Sequence, residues 1–196
     1  MKVRVTRGFG FFERYLSRKR RIIACAHLFA APRQGSILDI GCGMDCSLLR
    51  AVAFNERHGI DQVEPHVIPP GVVFHRMDIE HIFSLPFPRG YFDAVTMLAV
   101  VEHMTPEAVQ TLLCEIWRVL GPGGLLILTT PRPGTDFLLR GMARMHLVSK
   151  EEIEEHTHEY GRHELNACLA HAGFALQHVR HGTFECGLNT WVEARK

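Results

Sequence analysis

The sequence predicts a doubly wound α/β domain, in which helices cover both faces of a mostly parallel sheet. Short apolar segments of strand length alternate with segments of helical spacing along most of the chain, and this alternation is typical of parallel sheets. The connection between the last two predicted strands is too short for a crossover helix, so they should form an antiparallel hairpin. The 196 residues suit one domain. We divide it into a helical cover segment, residues 1–34, and the main domain, residues 35–196.

Each predicted element has its own local pattern. In the cover segment, aromatic residues precede a basic run, Arg18–Arg21, and an apolar stretch, so one or two helices should pack over the domain. The basic run is interpreted as a solvated helix face, or as a contact for an anionic substrate or a lipid headgroup. The main domain is predicted to contain, in order, strand Ser36–Ile40, helix Ser47–Phe54, strands His58–Asp61, Val72–Met77 and Tyr91–Leu98, helix Pro106–Leu120, a turn at Gly121–Gly124, strand Leu125–Thr130, helix Arg162–Ala172, and strands Phe174–Arg180 and Asn189–Ala194.

The composition argues against several classes of protein. Hydrophobic residues make up 46% of the chain and charged residues 22%, which is typical of a folded globular domain. A formal net charge of +1 predicts no nucleic-acid partner. The longest apolar stretch, Ile22–Ala31, is too short for a transmembrane segment. The six cysteines form no CxxC pair and we recognise no signal peptide, so we expect reduced thiols and a cytoplasmic location.

Glycines and aspartates follow the first three predicted strands. In an open α/β sheet, ligands bind beyond the carboxyl ends of the strands. The first strand ends in Gly41-Cys42-Gly43, where the backbone can approach a ligand closely. Asp61 ends the second strand and can accept hydrogen bonds from ribose hydroxyls, and Asp78 follows the third and can accept from the amine of adenine. Each aspartate can instead cap a turn. Together, the three positions predict an adenosine site.

The residues of the glycine turn favour one adenosine cofactor over another. An NAD site would need a GxGxxG pattern that cradles a pyrophosphate at a helix N-terminus. Here the run reads Gly-Cys-Gly-Met-Asp-Cys, and Asp45 lies where the negative diphosphate would be. S-adenosylmethionine (SAM) instead carries a cationic sulfonium and an ammonium group. The sequence therefore favours SAM over NAD.

Five segments carry a family resemblance. They are ILDIGCG at 37–43, HGID at 58–61, RMDIEHIFSLPFPRGYFDAVTMLAVVEHM at 76–104, WRVLGPGGLLILTTP at 117–131 and HEYGRHELNACLAHAGF at 158–174. In this order and spacing they resemble class I SAM-dependent methyltransferases, and are most similar to the small-molecule group called type 11, which includes O-methyltransferases of quinone precursors. The resemblance implies a seven-stranded sheet of order 3-2-1-4-5-7-6, with strand 7 antiparallel.

The resemblance also implies which residues bind SAM. Asp61 would bind the ribose hydroxyls, and Asp78 with the backbone of Ile79 would hold the adenine. Asp45 occupies the place of the family's third glycine, where it would either crowd the methionine end of SAM or pair with its ammonium group. The full set implied is Asp39, Gly41, Cys42, Gly43, Asp61, Gln62, Asp78, Ile79, Met97 and Leu98.

Methyl transfer to a hydroxyl needs positioning and a general base. His103 follows the fourth strand, and histidine is suited to this task because it titrates near neutral pH. Its other interpretation is a histidine at a helix start that bonds to the backbone. Some relatives bind a divalent metal through an ExxEH motif at this place. Here Ala99 replaces the first carboxylate although Glu102 remains, so we predict no metal.

The segment before the last helix should cover the acceptor, as it does in the family. Arg140 and Arg144 are one helical turn apart, so both can face an anionic group or, in the other interpretation, solvent. The acceptor residues predicted here are Arg140, Arg144, His156, His158 and Tyr160.

The sequence therefore predicts a SAM-dependent methyltransferase that acts on a small-molecule or glycan-type acceptor at oxygen, and S-adenosylhomocysteine (SAH) is the product. A homodimer is a further expectation. Three alternatives are an N-methyltransferase of a small metabolite, a catalytically inactive module with the SAM fold, and a nucleic-acid methyltransferase. The last lacks its usual Asn/Asp-Pro-Pro-aromatic motif, because residues 96–104 read TMLAVVEHM.

Overall fold

The structure, a computed structural model, describes residues 11–28, 35–134 and 158–196. The helices in these ranges are α1 (Phe11–Leu28), α2 (Ser47–Ala51), α3 (Pro106–Val119) and α4 (Arg162–Ala172). The strands are β1 (Ser36–Ile40), β2 (Glu56–Asp61), β3 (Val72–Arg76), β4 (Phe92–Leu98), β5 (Leu120–Pro131), β6 (Val179–Phe184) and β7 (Asn189–Arg195).

The seven strands form a single sheet of order β3-β2-β1-β4-β5-β7-β6. The five strands from β1 to β5 pair in parallel, and β7 runs antiparallel to both of its neighbours. Ile40 of β1 is aligned with Ile60 of β2 and with Met97 of β4, so the carboxyl ends of these strands lie side by side. The predicted fold class and strand order are confirmed.

Two apolar layers hold the helices on the sheet. The alternation of side chains along β1 sends Leu38 and Ile40 to one face and Ile37 to the other. The first layer includes apolar residues of α3 and α4, and the second includes residues of α1 and α2. In α3, five apolar residues spaced three and four apart are buried: Val109, Leu112, Leu113, Ile116 and Val119. The helix ends at Val119, one residue before the predicted end at Leu120, which begins β5.

Three predicted elements differ from the structure by three or more residues at a boundary. The predicted turn Gly121–Gly124 lies within β5 as an irregularity, because Phe92 pairs with Leu120 whereas Ala94 already pairs with Leu125. The strand predicted at 174–180 starts only at Val179, since residues 176–178 form a 3-10 turn. Helix α2 ends at Ala51, three residues before the predicted end.

Helix α1 packs on the sheet through a polar contact as well as through apolar residues. The Nδ1 atom of His27 lies 2.7 Å from Oε2 of Glu193 on β7. The imidazole also lies against the indole of Trp191, with ring centroids 4.3 Å apart. None of the helices that the structure describes combines the length and the apolar character needed to cross a membrane.

A half-buried ion pair ties the segment before β4 to α3. Glu115 accepts hydrogen bonds from the backbone of Leu85 at 2.7 Å and from the side chain of Arg118 at 2.7 and 2.8 Å. Arg118 also donates to the carbonyls of Leu85 and Phe87. The hydrogen bonds from Arg118 lower the pKa of Glu115 to about 2, and the bond from Leu85 adds to this effect.

We expect Glu115→Gln to lower the free energy of unfolding at pH 7 by about 1–3 kcal/mol, because a charge-assisted network is lost. The folded-state pKa of Glu115 lies below its ordinary value of 4.5. Its contribution to stability is therefore complete above that value and is lost as the pH falls towards 2. Urea denaturation at several pH values should show the difference between wild type and variant shrinking over this range.

The exposed Glu64 provides the control, because Glu64→Gln removes a carboxylate of the same kind that is open to solvent. This variant should differ from wild type by less than about 0.5 kcal/mol. An equal loss in the two variants, or a Glu115→Gln effect that does not change with pH, would contradict the role given to the ion pair.

Candidate functional site

The glycine turn after β1 depends on backbone conformations that favour glycine. Gly41 has a φ of +75° and Gly43 a φ of +70°, both in the left-handed region. A Cβ atom on Gly41 would lie 2.5 Å from Cγ2 of Val100. The turn is held against β2, because the N–H groups of Gly41 and Cys42 both donate to the carbonyl of Ile60, at 2.8 and 3.1 Å.

Asp61, at the end of β2, joins this turn to the next one. One carboxylate oxygen accepts a hydrogen bond from the N–H of Gly43 at 2.8 Å, and the other accepts from the N–H of Val63 at 3.1 Å. A carboxylate offers about four lone-pair sites, so about two remain for a ligand. The turn-capping role is therefore observed, and it leaves the predicted ribose contact available.

A second carboxylate lies on β1, just before the glycine turn. Asp39 of β1 is only 3% exposed, and it accepts a hydrogen bond from the hydroxyl of Thr96 on β4 at 2.7 Å. On the same strand as Thr96, Met97 is buried and Leu98 is half-buried. The residues predicted to border the methionine end of SAM therefore lie on neighbouring strands.

The predicted adenine residues form an exposed turn after β3. The carboxylate of Asp78 accepts from the N–H of Glu80 at 3.1 Å and lies 3.1 Å from Nδ1 of His81. Ile79 begins the 3-10 turn that Asp78 caps, and Gln62 is exposed. Asp78 therefore caps a turn, which is the alternative role that the sequence indicated. Its contact with adenine remains a prediction. Asp78, Glu80 and His81 form the one group with metal-ligand spacing among the described residues, on an exposed turn.

The glycine turn accommodates Asp45, which occupies the place of the family's third glycine. The side chain of Asp45 is exposed, and the left-handed conformation falls on the next residue, Cys46, with a φ of +46°. A glycine is therefore not required at position 45. The buried thiols of Cys42 and Cys46 lie 3.8 Å apart. The hydrogen bond between them raises the pKa of Cys42 and lowers that of Cys46.

A sharp turn after β4 brings further polar groups to the same edge. Ala99 has a φ of +57°, and its N–H donates to the carbonyl and the hydroxyl of Thr129, at 3.0 and 3.1 Å. Glu102 is 3% exposed, and within the described part of the chain its Oε2 atom has no hydrogen-bond partner. His103 is half-buried in the 3-10 turn that follows, and its N–H donates to the carbonyl of Val100. The sequence does not indicate this positive φ at Ala99, because alanine carries no signal for the conformation.

Two of the predicted acceptor residues lie beside this turn. The N–H of His158 donates to the carbonyl of Glu102 at 3.4 Å, and its Nε2 atom lies 2.7 Å from Oε1 of Glu164. Tyr160 is 1% exposed and donates its hydroxyl proton to the carbonyl of Met104 at 3.2 Å. Burial raises the pKa of this phenol. Arg140, Arg144 and His156 lie outside the described residues.

Comparison with known proteins gives matches over most of the chain. Residues 12–179 match the family model described as a methyltransferase domain. A Mycolicibacterium smegmatis protein named as a probable S-adenosylmethionine-dependent methyltransferase is 30% identical over 84% of this chain and 61% of its own length. A Synechocystis protein, 2-methyl-6-phytyl-1,4-hydroquinone methyltransferase, is 33% identical over 49% of this chain and 32% of its own. The chain thus spans less than two thirds of these relatives.

Solved structures share the fold at low sequence identity. A SAM-dependent methyltransferase from Archaeoglobus fulgidus aligns with a TM-score of 0.68 and 18% identity, and the alignment covers 94% of each chain. A second one, from Mesorhizobium loti, aligns with a TM-score of 0.64 and 19% identity over 92% of this chain and all of its own.

We expect Gly41→Ala to lower the free energy of unfolding by about 2–4 kcal/mol. The left-handed backbone accounts for about 1–2 kcal/mol, and the contact with Val100 adds overpacking. Gly123→Ala is the matched control, because Gly123 has a φ of +74° but no atom within 4 Å of its Cβ position. Gly123→Ala should lower the free energy of unfolding only by the about 1–2 kcal/mol that the left-handed backbone costs. Urea denaturation measures both variants, and equal losses would show that the contact with Val100 costs nothing.

Proposed function

This chain belongs to the methyltransferase domain family, and from this premise we propose that it transfers a methyl group from SAM to an oxygen atom of a small-molecule or glycan-type acceptor. The observation that carries the proposal is the geometry of Asp61, whose carboxylate holds the glycine turn and keeps lone pairs for a ribose. SAH is the expected product.

The residues at the carboxyl edge fit SAM. The absence of side chains at Gly41 and Gly43 lets the methionine part approach the backbone of the turn. Asp39 is buried on β1, two residues before Gly41, and a carboxylate in this place favours a cationic ligand. Asp61 supplies acceptors for ribose, and the carboxylate of Asp78 is exposed where the family binds adenine.

The chain mainly has to position the two reactants. When bound, SAM would supply an activated methyl group, whose bond to sulfur would break as the acceptor oxygen bonds to it, and SAH would leave. Asp61 orients the ribose, and Met97 and Leu98 border the reacting atoms at the carboxyl end of β4. His103 would take the proton from an acceptor hydroxyl, as a general base beyond the end of β4.

A relative and His103 support a small acceptor that is methylated at oxygen. The name of the Synechocystis relative gives a hydroquinone as its acceptor, and such a molecule carries hydroxyl groups. An amine acceptor, the alternative, would have less need of a base such as His103. The proposal also includes a cytoplasmic location, which six free cysteines support, and a homodimer, which light scattering would test.

We expect SAH to bind the purified protein with micromolar affinity, and Asp61→Ala to weaken this binding by about 100-fold or more. The loss of two hydrogen bonds to a charged group costs about 3 kcal/mol. Isothermal titration calorimetry measures the affinity, and urea denaturation of the same samples shows whether the variant is folded.

Glu64→Ala is the matched control, because Glu64 is an exposed carboxylate three residues along the same loop. It should bind SAH as the wild type does. A wild-type protein that releases no heat with SAM or SAH would contradict the proposal and favour the inactive module. An Asp61→Ala variant that is folded and binds SAH with wild-type affinity would show that Asp61 does not contact the cofactor.

A further inference from the structure

A pocket near the carboxyl edge of the sheet has no part in the proposed SAM site. It lies between the hairpin of β6 and β7, the start of α4 and the residue that follows β5. Its volume is about 240 Å³. We call it the hairpin pocket, and it is lined by Arg132, Arg162, His181, Gly182, Thr183 and Thr190.

The strand register brings these side chains to one face of the sheet. Thr183 of β6 pairs with Thr190 of β7, which in turn pairs with Thr130 of β5. Paired residues on neighbouring strands point to the same face, so three hydroxyls lie in one row. His181 is on the same face, two residues before Thr183, and its Nε2 atom lies 2.6 Å from Oδ1 of Asn166 on α4.

The charged residues that line the hairpin pocket are basic. Two of its six lining residues are arginines, and none of the six is acidic. Arg132 is positioned by a hydrogen bond from its guanidinium to the carbonyl of Gly187 at 3.3 Å, and Arg162 is exposed at the first turn of α4. Guanidinium groups with nearby hydroxyls are the donors that bind phosphate oxygens best.

Unused hydrogen-bonding capacity remains around the hairpin pocket. Among the described residues, neither the buried Nδ1 atom of His181 nor the buried hydroxyl of Thr130 has a partner. Burial, with the charge of Arg162 as a smaller cause, lowers the pKa of His181 and so favours its neutral form. An anion held by the two arginines would offset the effect of Arg162 and raise this pKa.

The hairpin pocket lies within reach of the transfer site. Strand order places β5, β7 and β6 successively beyond β4, and neighbouring strands are about 4.8 Å apart. The distance from Met97 and Leu98 on β4 to the hairpin is therefore about 10–14 Å in the plane of the sheet. A metabolite can span this distance with its reacting hydroxyl at one end and an anionic group at the other.

We propose that the hairpin pocket binds the phosphate group of a phosphorylated methyl acceptor, through Arg132, Arg162 and the threonine hydroxyls. This inference rests on the proposed function, because it assigns the acceptor of the same transfer site. It narrows the acceptor from any small molecule to a hydroxylated phosphate ester.

The test uses inorganic phosphate as the probe and the imidazole of His181 as the reporter. Long-range ¹H–¹⁵N NMR spectra of the full chain resolve the histidines, and His181→Gln assigns the signal. Phosphate, added at constant ionic strength, should shift this signal in a saturable manner and raise the pKa of His181. Acetate should bind at least 5-fold more weakly than phosphate. Equal binding of the two anions would indicate a site for carboxylates and not for phosphate esters, and would overturn the proposal.

Arginine variants test whether the hairpin pocket is the site. Arg132→Gln and Arg162→Gln should each weaken phosphate binding at least 5-fold. Arg180→Gln is the matched control, because Arg180 is on β6 but pairs with Glu193, whose side chain contacts α1 on the opposite face. An equal effect of Arg180→Gln, or no saturable shift in the wild type, would overturn the proposal.

Titration with SAH separates this proposal from the one on which it rests. An acceptor group and SAH must bind together, so saturating phosphate should change the affinity for SAH by less than 3-fold. Competition between the two would place phosphate in the cofactor site and overturn the proposal. SAH binding without phosphate binding overturns this inference alone, whereas phosphate binding without SAH binding overturns the proposed function and the acceptor role with it.

Discussion

The two hydrogen bonds that Asp61 accepts, from Gly43 at 2.8 Å and from Val63 at 3.1 Å, are the constraint on which the proposed cofactor site depends. They join the turn after β1 to the turn after β2, and they fix the orientation of the carboxylate before any ligand arrives. A ligand that binds such an oriented group does not have to order it. The parallel register of β1 and β2 makes this possible, because it brings Ile40 level with Ile60.

The same sheet geometry relates the cofactor site to the hairpin pocket. Parallel strands β1, β2 and β4 end at one edge, where the glycine turn and the turn at Ala99 leave space for a ligand. The antiparallel β7 then returns beside β5 and carries the hairpin to that edge. Cofactor and acceptor would thus be held by different strands of one rigid sheet, and positioning of this kind is the main contribution that a protein makes to methyl transfer.

The sequence was sufficient for the features that local patterns encode. Helix α3 has a threonine cap, a first-turn proline and regular apolar spacing, and it was predicted to within one residue. The strand order was also predicted correctly, but from the family resemblance and not from a local pattern. The start of β6 was not, because Phe174 belongs to the core beyond α4, and the residues after it turn before the strand begins. Asp78 shows a different limit, since a capping aspartate and a ligand-binding aspartate have the same sequence signal. The conformation of Ala99 and the row of threonines depend on tertiary contacts and on register, which no local pattern records.

A crystal structure of the protein with bound SAH would test the central claim most directly. We predict that both ribose hydroxyls lie within hydrogen-bond distance of the carboxylate of Asp61, which should still accept from the N–H groups of Gly43 and Val63. The homocysteine part should pass over Gly41, with Asp45 remaining at the surface. A structure in which SAH lies away from this edge, or in which Asp61 releases the glycine turn in order to bind the ribose, would contradict the account.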